Sequence, residues 1–222
     1  MSTNAQLVIN ECATIIGDPQ QGRITPDAWK VFLNQSSRDI ARKLRLVLWT
    51  VTFDIVKGDP QYALPSDCIQ VKKVQFNETP SDQTTWWEVK EMFDDEFRRA
   101  TNGNYSSTSR SRSYYIENDT FWFYPMPDAD YVGGGKITYW GLPDEVTTPA
   151  TQNIPLMDFM RDTLRERMTI YGLRRLEKWD ASVKAEQEWE ASLGADRSRI
   201  EDRSADRRSR VRTSMGNLFG QR

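Results

Sequence analysis

The sequence predicts an α+β protein: a helical bundle with a long C-terminal helix, a small antiparallel β domain inserted between the helices, and a flexible C-terminal arm. Three observations lead there. Apolar residues recur at spacings of three and four near both ends of the chain, the period of a helix with one buried face. In the middle the period drops to two, and Gly and Pro punctuate it as they do between strands. Helical and strand patterns are thus segregated, which argues against alternating βαβ units and a parallel sheet.

Residues 5–16 read as a short helix stopped by Gly17 and Pro19. Thr25 and Pro26 suit the cap and first position of a second helix. Its stripe runs through Trp29, Phe32, Leu33, Ser36, Ile40, Leu44, Val47 and Leu48. From Trp49 the chain alternates, with Val51, Phe53 and Ile55 on one face and Thr50, Thr52 and Asp54 on the other. Gly58-Asp59-Pro60 makes a turn, and a second strand follows through Ile69, Val71, Val74 and Phe76. Residues 84–89 predict another strand, and 90–100 a short helix with a charged outer face. Residues 101–113 form a Ser-, Thr- and Arg-rich loop with too little apolar surface to bury itself. A hairpin follows, Tyr114-Tyr115-Ile116 against Phe121-Trp122-Phe123-Tyr124. Gly133-Gly134-Gly135 permits a sharp re-entry into a last strand over 136–140. From Ile154 the helical stripe returns (Leu156, Phe159, Met160, Leu164, Met168, Tyr171, Leu176, Trp179, Val183) and predicts one helix ended by Gly194. The domain boundaries are accordingly 1–50 for the N-terminal helices, 51–149 for the β domain with its short helix, 150–194 for the long helix, and 195–222 for an Arg-rich arm.

Composition narrows the function. The chain has 222 residues, 38% of them apolar, with eight Trp, nine Phe and eight Tyr. Each large side chain fully buried contributes roughly 1.5–3 kcal/mol, enough in sum to support a packed core. A net charge of −2 disfavours a nucleic-acid coat or a membrane-surface protein. No stretch has the length and apolarity of a membrane span, and Met1-Ser2-Thr3-Asn4-Ala5 does not begin a secretory leader. Cys12 and Cys68 stand outside any CxxC cluster and read as reduced, incidental side chains of a cytosolically made protein. Histidine is absent, which excludes Ser-His and Cys-His nucleophiles and imidazole metal ligands. Phosphate-loop, dinucleotide and nucleophile-elbow motifs are absent as well. No catalytic, cofactor-binding or metal residue is assigned, and the expectation is a protein that is not an enzyme.

Three features stand out as candidate sites. The carboxylates Glu88, Glu91, Asp94, Asp95 and Glu96 read as a solvated face on which Asp94 and Arg98 pair at i,i+4. The aromatic groups around Trp86-Trp87 and in 121–124 read as core packing plus a subunit interface, because alternate strand residues face opposite ways. The sharpest feature is the last 28 residues, with eight Arg and no Lys. Arginine forms planar, bidentate contacts with carboxylates and phosphates that lysine does not match. Arg197, Arg199, Arg203, Arg207, Arg208, Arg210 and Arg212, with Leu218 and Phe219 as an apolar anchor, suit folding onto a protein partner.

Two strings carry a family resemblance. Tyr62-Ala63-Leu64-Pro65-Ser66-Asp67-Cys68-Ile69, then Val71 and Val74, resembles the Y-x-L-P-x-D-hydrophobic element of the head-to-tail adaptors (connector or head-completion proteins) of tailed bacteriophages. Phe123-Tyr124-Pro125-Met126-Pro127 with Lys136-Ile137-Thr138-Tyr139-Trp140-Gly141-Leu142-Pro143 is similar to the same family's later element. The resemblance covers about residues 1–195. It implies a structural virion protein at the head-tail junction that assembles into a ring of about twelve copies under the portal, around the DNA channel. The implied partners are the portal protein, a tail or nozzle protein, and other copies of itself, with channel DNA touched nonspecifically at most and no membrane. The Arg-rich arm would then be the portal-binding segment. The family pattern brings no catalytic residue and no cofactor. Another head- or tail-completion (stopper) protein is the nearest alternative, ahead of a nucleic-acid-binding module. Arg110, Arg112 and the triglycine have no counterpart in the resemblance.

Overall fold

The structure, a computed structural model, describes residues 3–82, 84–101 and 113–219, with side chains described as far as Glu201 apart from Thr101. The expected loop at 101–113, with Arg110 and Arg112, therefore lies almost wholly outside the described residues. The chain divides into two compact units, the first Met1–Leu44 with Pro143–Arg222 and the second Arg45–Leu142.

The first unit is helical. Asn4 caps α1 (Ala5–Ile16) by accepting from the Gln6 N–H at 2.9 Å, and Gly17 ends it in the left-handed region at φ 83°. Buried Asp18 then closes the loop to α2 (Pro26–Leu44), accepting from the backbone N–H groups of Gly22, Arg23 and Ile24. Partial burial works against its charge, but these bonds hold its pKa below the ordinary carboxylate range. α2 stops at Leu44, before the end of the predicted stripe, because Arg45 turns left-handed at φ 51° and Val47 already belongs to a strand. A short 3-10 turn at Asp158–Met160 leads into α4 (Arg161–Arg175), and α5 spans Trp179–Phe219. Ile9, Trp29, Leu33, Ile40, Leu164, Met168, Ile170 and Trp189 are 0–1% exposed and form the core.

Two expectations about the C-terminal helix are corrected. It is not continuous, because the chain breaks over Leu176, Glu177 and Lys178. Glu177 sits at φ 59°, and the Lys178 N–H reaches back to the Leu173 carbonyl, a helix-ending turn formed without glycine. Trp179 and Val183 continue the apolar period in sequence but lie past the break, 60% and 57% exposed. Nor does Gly194 end the helix. Glycine costs about 1 kcal/mol in a helix interior. Buried Leu193 and Asp196 flank it, however, and Asp196 accepts from the Thr163 hydroxyl. α5 continues as helix to Phe219, so a flexible arm from Ala195 onward is not what the chain forms.

The second unit corrects the fold class. The protein is mixed α/β, 42% helix and 27% strand, with a seven-stranded curled sheet rather than a helical bundle carrying a small β domain. The strands are β1 (Val47–Ile55), β2 (Gln61–Ala63), β3 (Cys68–Phe76), β4 (Trp87–Glu91), β5 (Ser113–Glu117), β6 (Thr120–Tyr124) and β7 (Tyr131–Gly141), in the order β1-β7-β3-β4-β5-β6-β2. All neighbours are antiparallel except β4 and β5, which pair in parallel through Lys90–Ser113 and Glu91–Tyr114. Helix α3 (Asp94–Thr101) fills that crossover. The difference follows from range. Local periodicity identifies strands but not their neighbours, and outside the predicted hairpin and the consecutive β3–β4 pair the partners are not adjacent in sequence order or not antiparallel: β1 and β3 pair with β7, β2 with β6, and β4 runs parallel to β5.

Curling brings one face of the sheet around a single aromatic core of Phe76, Phe121, Phe123, Tyr114 and Tyr139, with Phe53 and Tyr62 packed against it. The triglycine is part of β7, not a turn before it. A Cβ on Gly135 would meet the Phe53 ring at 2.3 Å, and one on Gly134 would meet the Asn77 carbonyl oxygen at 2.8 Å. Close approach of the Phe53 ring to the β7 backbone thus requires glycine there.

The two resemblance strings meet physically. The Tyr139 hydroxyl donates to Asp67 at 3.0 Å, the Leu142 N–H donates to the Asp67 carbonyl at 2.9 Å, and the Trp49 indole N–H donates to the Leu142 carbonyl at 3.1 Å. Tyr62 is fastened similarly, its hydroxyl accepting from the Val56 N–H at 2.9 Å while its ring packs against Phe53, Phe121 and Phe123. These residues are fasteners of the curled sheet.

Two outcomes are expected. Burial first, then Asp67, raises the Tyr139 phenol to about 12 from an ordinary 10. The raised value favours the neutral phenol in the folded state, so its contribution is complete below pH 10 and is lost as pH climbs to 12. Tyr139→Phe should cost about 1 kcal/mol at neutral pH and make the alkaline fall of stability shallower, as measured by urea unfolding across that range. In the helical unit, Arg167→Met removes a largely buried guanidinium that Asp39 and Glu186 both use. An unfolding titration should read a loss of about 2–4 kcal/mol, with Arg167→Lys restoring less than half because an ammonium lacks the planar fork.

Candidate docking surfaces

Helix α5 is built outward from one cation. The Arg167 side chain, 13% exposed, donates to Asp39 from Nε at 2.9 Å and Nη2 at 2.7 Å, and to Glu186 from Nη1 at 3.0 Å. Its guanidinium carbon lies 4.4 Å from the Trp189 ring centroid and 5.0 Å from that of Tyr171, whose hydroxyl also donates to Asp39. Burial opposes the charge, but the bonds to Asp39 and Glu186 leave the guanidinium pKa raised. Arg174 pairs with the other oxygen of Glu186, and Lys43 pairs with Glu190 while lying over Trp189. Farther along, Asp196 meets Thr163. The contacts advance along α5 as they retreat along α4, an antiparallel hairpin. By that register, α5 residues past Ile200 lie beyond the first residue of α4. Residues 202–219, at about 1.5 Å each, continue the helix for about 27 Å.

The predicted arm residues divide at that point. Arg197 is exposed at the base, its guanidinium 3.5 Å from the Lys43 carbonyl oxygen. Arg199, 64% exposed, donates to Asp196 at 3.2 Å, one turn back. Arg203, Arg207, Arg208, Arg210, Arg212, Leu218 and Phe219 lie on the helical backbone of α5, and their side chains lie outside the described residues. A groove of about 270 Å³ lined by Lys43, Leu44, Glu190, Leu193, Gly194 and Arg197 opens beside the base. Nothing stands within 4 Å of a Cβ added at Gly194, so the glycine faces open space. Sequence reasoning missed Asp196, which is 2% exposed. Its position at the buried i,i+3/i+4 stripe with Trp189 and Leu193 was the available signal.

The acidic stretch is occupied with local structure. Asp94 receives the Arg98 Nε at 2.7 Å, the expected i,i+4 pair, and Arg98 leads the groups that hold its carboxyl below the usual range. Glu96 accepts from the Phe93 N–H at 3.3 Å, Glu91 accepts from the Tyr114 hydroxyl at 3.4 Å, and Glu88 pairs with Lys73. Among the described residues no group of three or more Cys, Asp or Glu side chains is placed to hold a metal ion. The aromatic groups split by face. Phe121 and Phe123 are buried, whereas Trp122 and Tyr124 are half-buried on the other side, where the Tyr124 hydroxyl donates to the Ala100 carbonyl at 2.8 Å. On the outer face of the sheet, Lys136 Nζ lies 3.6 Å above the Trp86 ring and Lys72 Nζ 5.0 Å from that of Trp140. Neither cysteine is positioned for nucleophilic chemistry. Burial pushes the Cys12 thiol up to about 12, and burial followed by Asp67 pushes Cys68 up to about 11.

No described helix is long and apolar enough to cross a membrane. The curated proteins contain no match to this chain. Residues 3–215 match the family model described as SU10 adaptor protein, a span that takes in both interlocked strings, the α4–α5 hairpin and most of the overhanging helix. This bears out the resemblance to phage head-to-tail adaptors, and the chain belongs to the SU10 adaptor family of structural phage proteins.

Proposed function

We propose that this adaptor forms a ring on the portal of its phage and joins head to tail around the DNA channel. The observation that carries the reading is the overhang of α5, a helix rich in arginine that continues past the α4 residues able to pack against it. A lone helix of that length gains little from propensity alone and is stabilised mainly by what packs on it. The portal is the proposed partner of this segment, with Arg197, Arg199, Arg203, Arg207, Arg208, Arg210 and Arg212 making charge-assisted contacts and Leu218 and Phe219 the apolar anchor. A tail or nozzle protein is the proposed partner on the far side, and the proposed location is the head-tail junction of the virion. Duplex DNA would be met without sequence preference, since base readout needs side chains inserted into a groove.

Ring contacts between copies draw support from exposed apolar side chains in the helical unit. Leu7 and Ile15, two turns apart on α1, are 55% and 57% exposed, and Trp179 and Val183 project one turn apart at the start of α5. Apolar side chains this large, left wet in pairs at helical spacing, fit a surface that another protein covers.

The arm is tested by truncation after Glu201, which spares buried Leu193 and Asp196, unlike a cut at Gly194. The truncated chain should keep its unfolding transition yet lose at least about tenfold in affinity for purified portal by co-sedimentation. If truncation instead spares portal binding and abolishes a duplex-DNA affinity that falls steeply with salt, the arm is a DNA contact. Replacing Trp179 and Val183 together by Glu should leave the monomer folded and cut ring formation on portal by about tenfold or more, as counted in electron micrographs.

A further inference from the structure

β1 is one end of the sheet. Among the described residues it pairs with β7 alone, from Val47–Gly141 to Ile55–Tyr131, and its other side has no strand. Strand ends are ordinarily protected by proline, lysine or brevity. β2, at the opposite end, is protected in this way, being three residues long and bracketed by Pro60 and Pro65. β1 has none of these devices. It is nine residues of Val-Leu-Trp-Thr-Val-Thr-Phe-Asp-Ile, with one charge near its end. Its second half is covered, since Phe53 packs on Tyr62 and Phe121 and Ile55 is 1% exposed. Its first half is open. Val51 belongs to the same strand face as Phe53 and Ile55 yet is 42% exposed, and on the opposite face Leu48 is 45% exposed. The core-facing row is therefore one strand short at this place.

We propose that the open half of β1 is a strand-addition site that receives an extended segment of a tail-side virion protein. This rests on the adaptor reading. Alternate residues of an edge strand direct both N–H and C=O outward, so the complementary ligand is an extended backbone. The added strand would place an apolar side chain over Val51 and polar ones beside Thr50 and Thr52. A second copy of this chain does not fit. Among the described residues the other sheet end is the short, proline-bracketed β2, and pairing of β1 with β1 is two-fold, closing a dimer that cannot propagate a ring. The portal is already engaged, in that reading, by α5.

Val51→Lys adds a charge at an exposed edge position, and Val51→Thr serves as the β-branched control. Heads carrying the Lys variant should load adaptor normally but yield at least about tenfold fewer infectious particles when completed with an extract of adaptor-defective infected cells, and the Thr variant should stay within about twofold. In complete virions, Thr50→p-benzoylphenylalanine should crosslink to a tail-side protein. Normal completion with the Lys variant, or a crosslink to portal or to another adaptor copy, overturns the proposal. Failure of the Lys variant to load on heads that accept the Thr variant also overturns it, since the edge would then serve portal or ring contacts. A wild-type chain that loads on no heads overturns the adaptor reading beneath it.

Discussion

Arg167 is the group on which the helical unit depends. A largely buried guanidinium is costly unless its donors are satisfied, and here Asp39 of α2 and Glu186 of α5 satisfy it while the Trp189 and Tyr171 rings lie within 4.4 and 5.0 Å of its carbon. That one residue of α4 therefore fixes the positions of both neighbouring helices. Gly172 performs the matching task on the opposite side. A Cβ there would press on the Trp29 ring at 3.0 Å and on Ile16 at 3.2 Å, so its absence lets α1 and α2 close onto α4. The helices of this unit come from distant parts of the chain, and an apolar stripe alone would permit several rotations of each. The charge network selects one, since only one rotation of α5 presents Glu186 to both Arg167 and Arg174.

The β unit solves a different problem, how to bend a sheet around large aromatic side chains. Phe53 lies against the backbone of β7, which the glycines at 134 and 135 strip of side chains. Asp67 holds the β7 end in place through Tyr139 and Leu142. The two ends of the sheet approach where Phe53 packs on Tyr62, whereas Val51, nearer the start of β1, stays exposed. On that stretch β1 has β7 on one side and no strand on the other among the described residues.

Much of this was legible in sequence where the causes are local. The bounds of α1, the cap and first residue of α2, the hairpin of β5 and β6, and the Asp94–Arg98 pair all follow from short-range periodicity and turn chemistry. The family resemblance was legible for the same reason, since its strings are turns beside strands. What failed depended on distant partners. Trp179 and Val183 keep the helical period, so nothing in the sequence marks the break at Glu177, which adopts φ 59° without the help of glycine. Gly194 and Gly133-Gly134-Gly135 look like stops, but burial of Leu193 and Asp196 overrides the first and the Phe53 ring explains the second. The parallel β4–β5 pair involves only two residue pairs, too few to leave a pattern in either strand.

Continuity of α5 alters what its arginines can do. In a disordered tail, each contact would have to offset the ordering of its own backbone, about 1–2 kcal/mol per residue. In a helix already formed to Phe219 that cost is largely met before any partner arrives, and side chains three and four apart share a face. Arg203, Arg207 and Arg210 then fall on one side of the helix, and Arg208 and Arg212 on another, with Asp202 and Asp206 at the same spacings. A formed helix sets the spacing of its residues before any partner arrives, whereas a disordered tail averages over conformations. Fixed spacing favours a partner whose own groups are fixed, as on a folded protein surface, over one whose charge is uniform along its length, as on duplex DNA. The buried anchor at Asp196 matters for this reason. It ties the packed half of α5 to α4 through Thr163, so the helix is held in register up to the point where α4 ends.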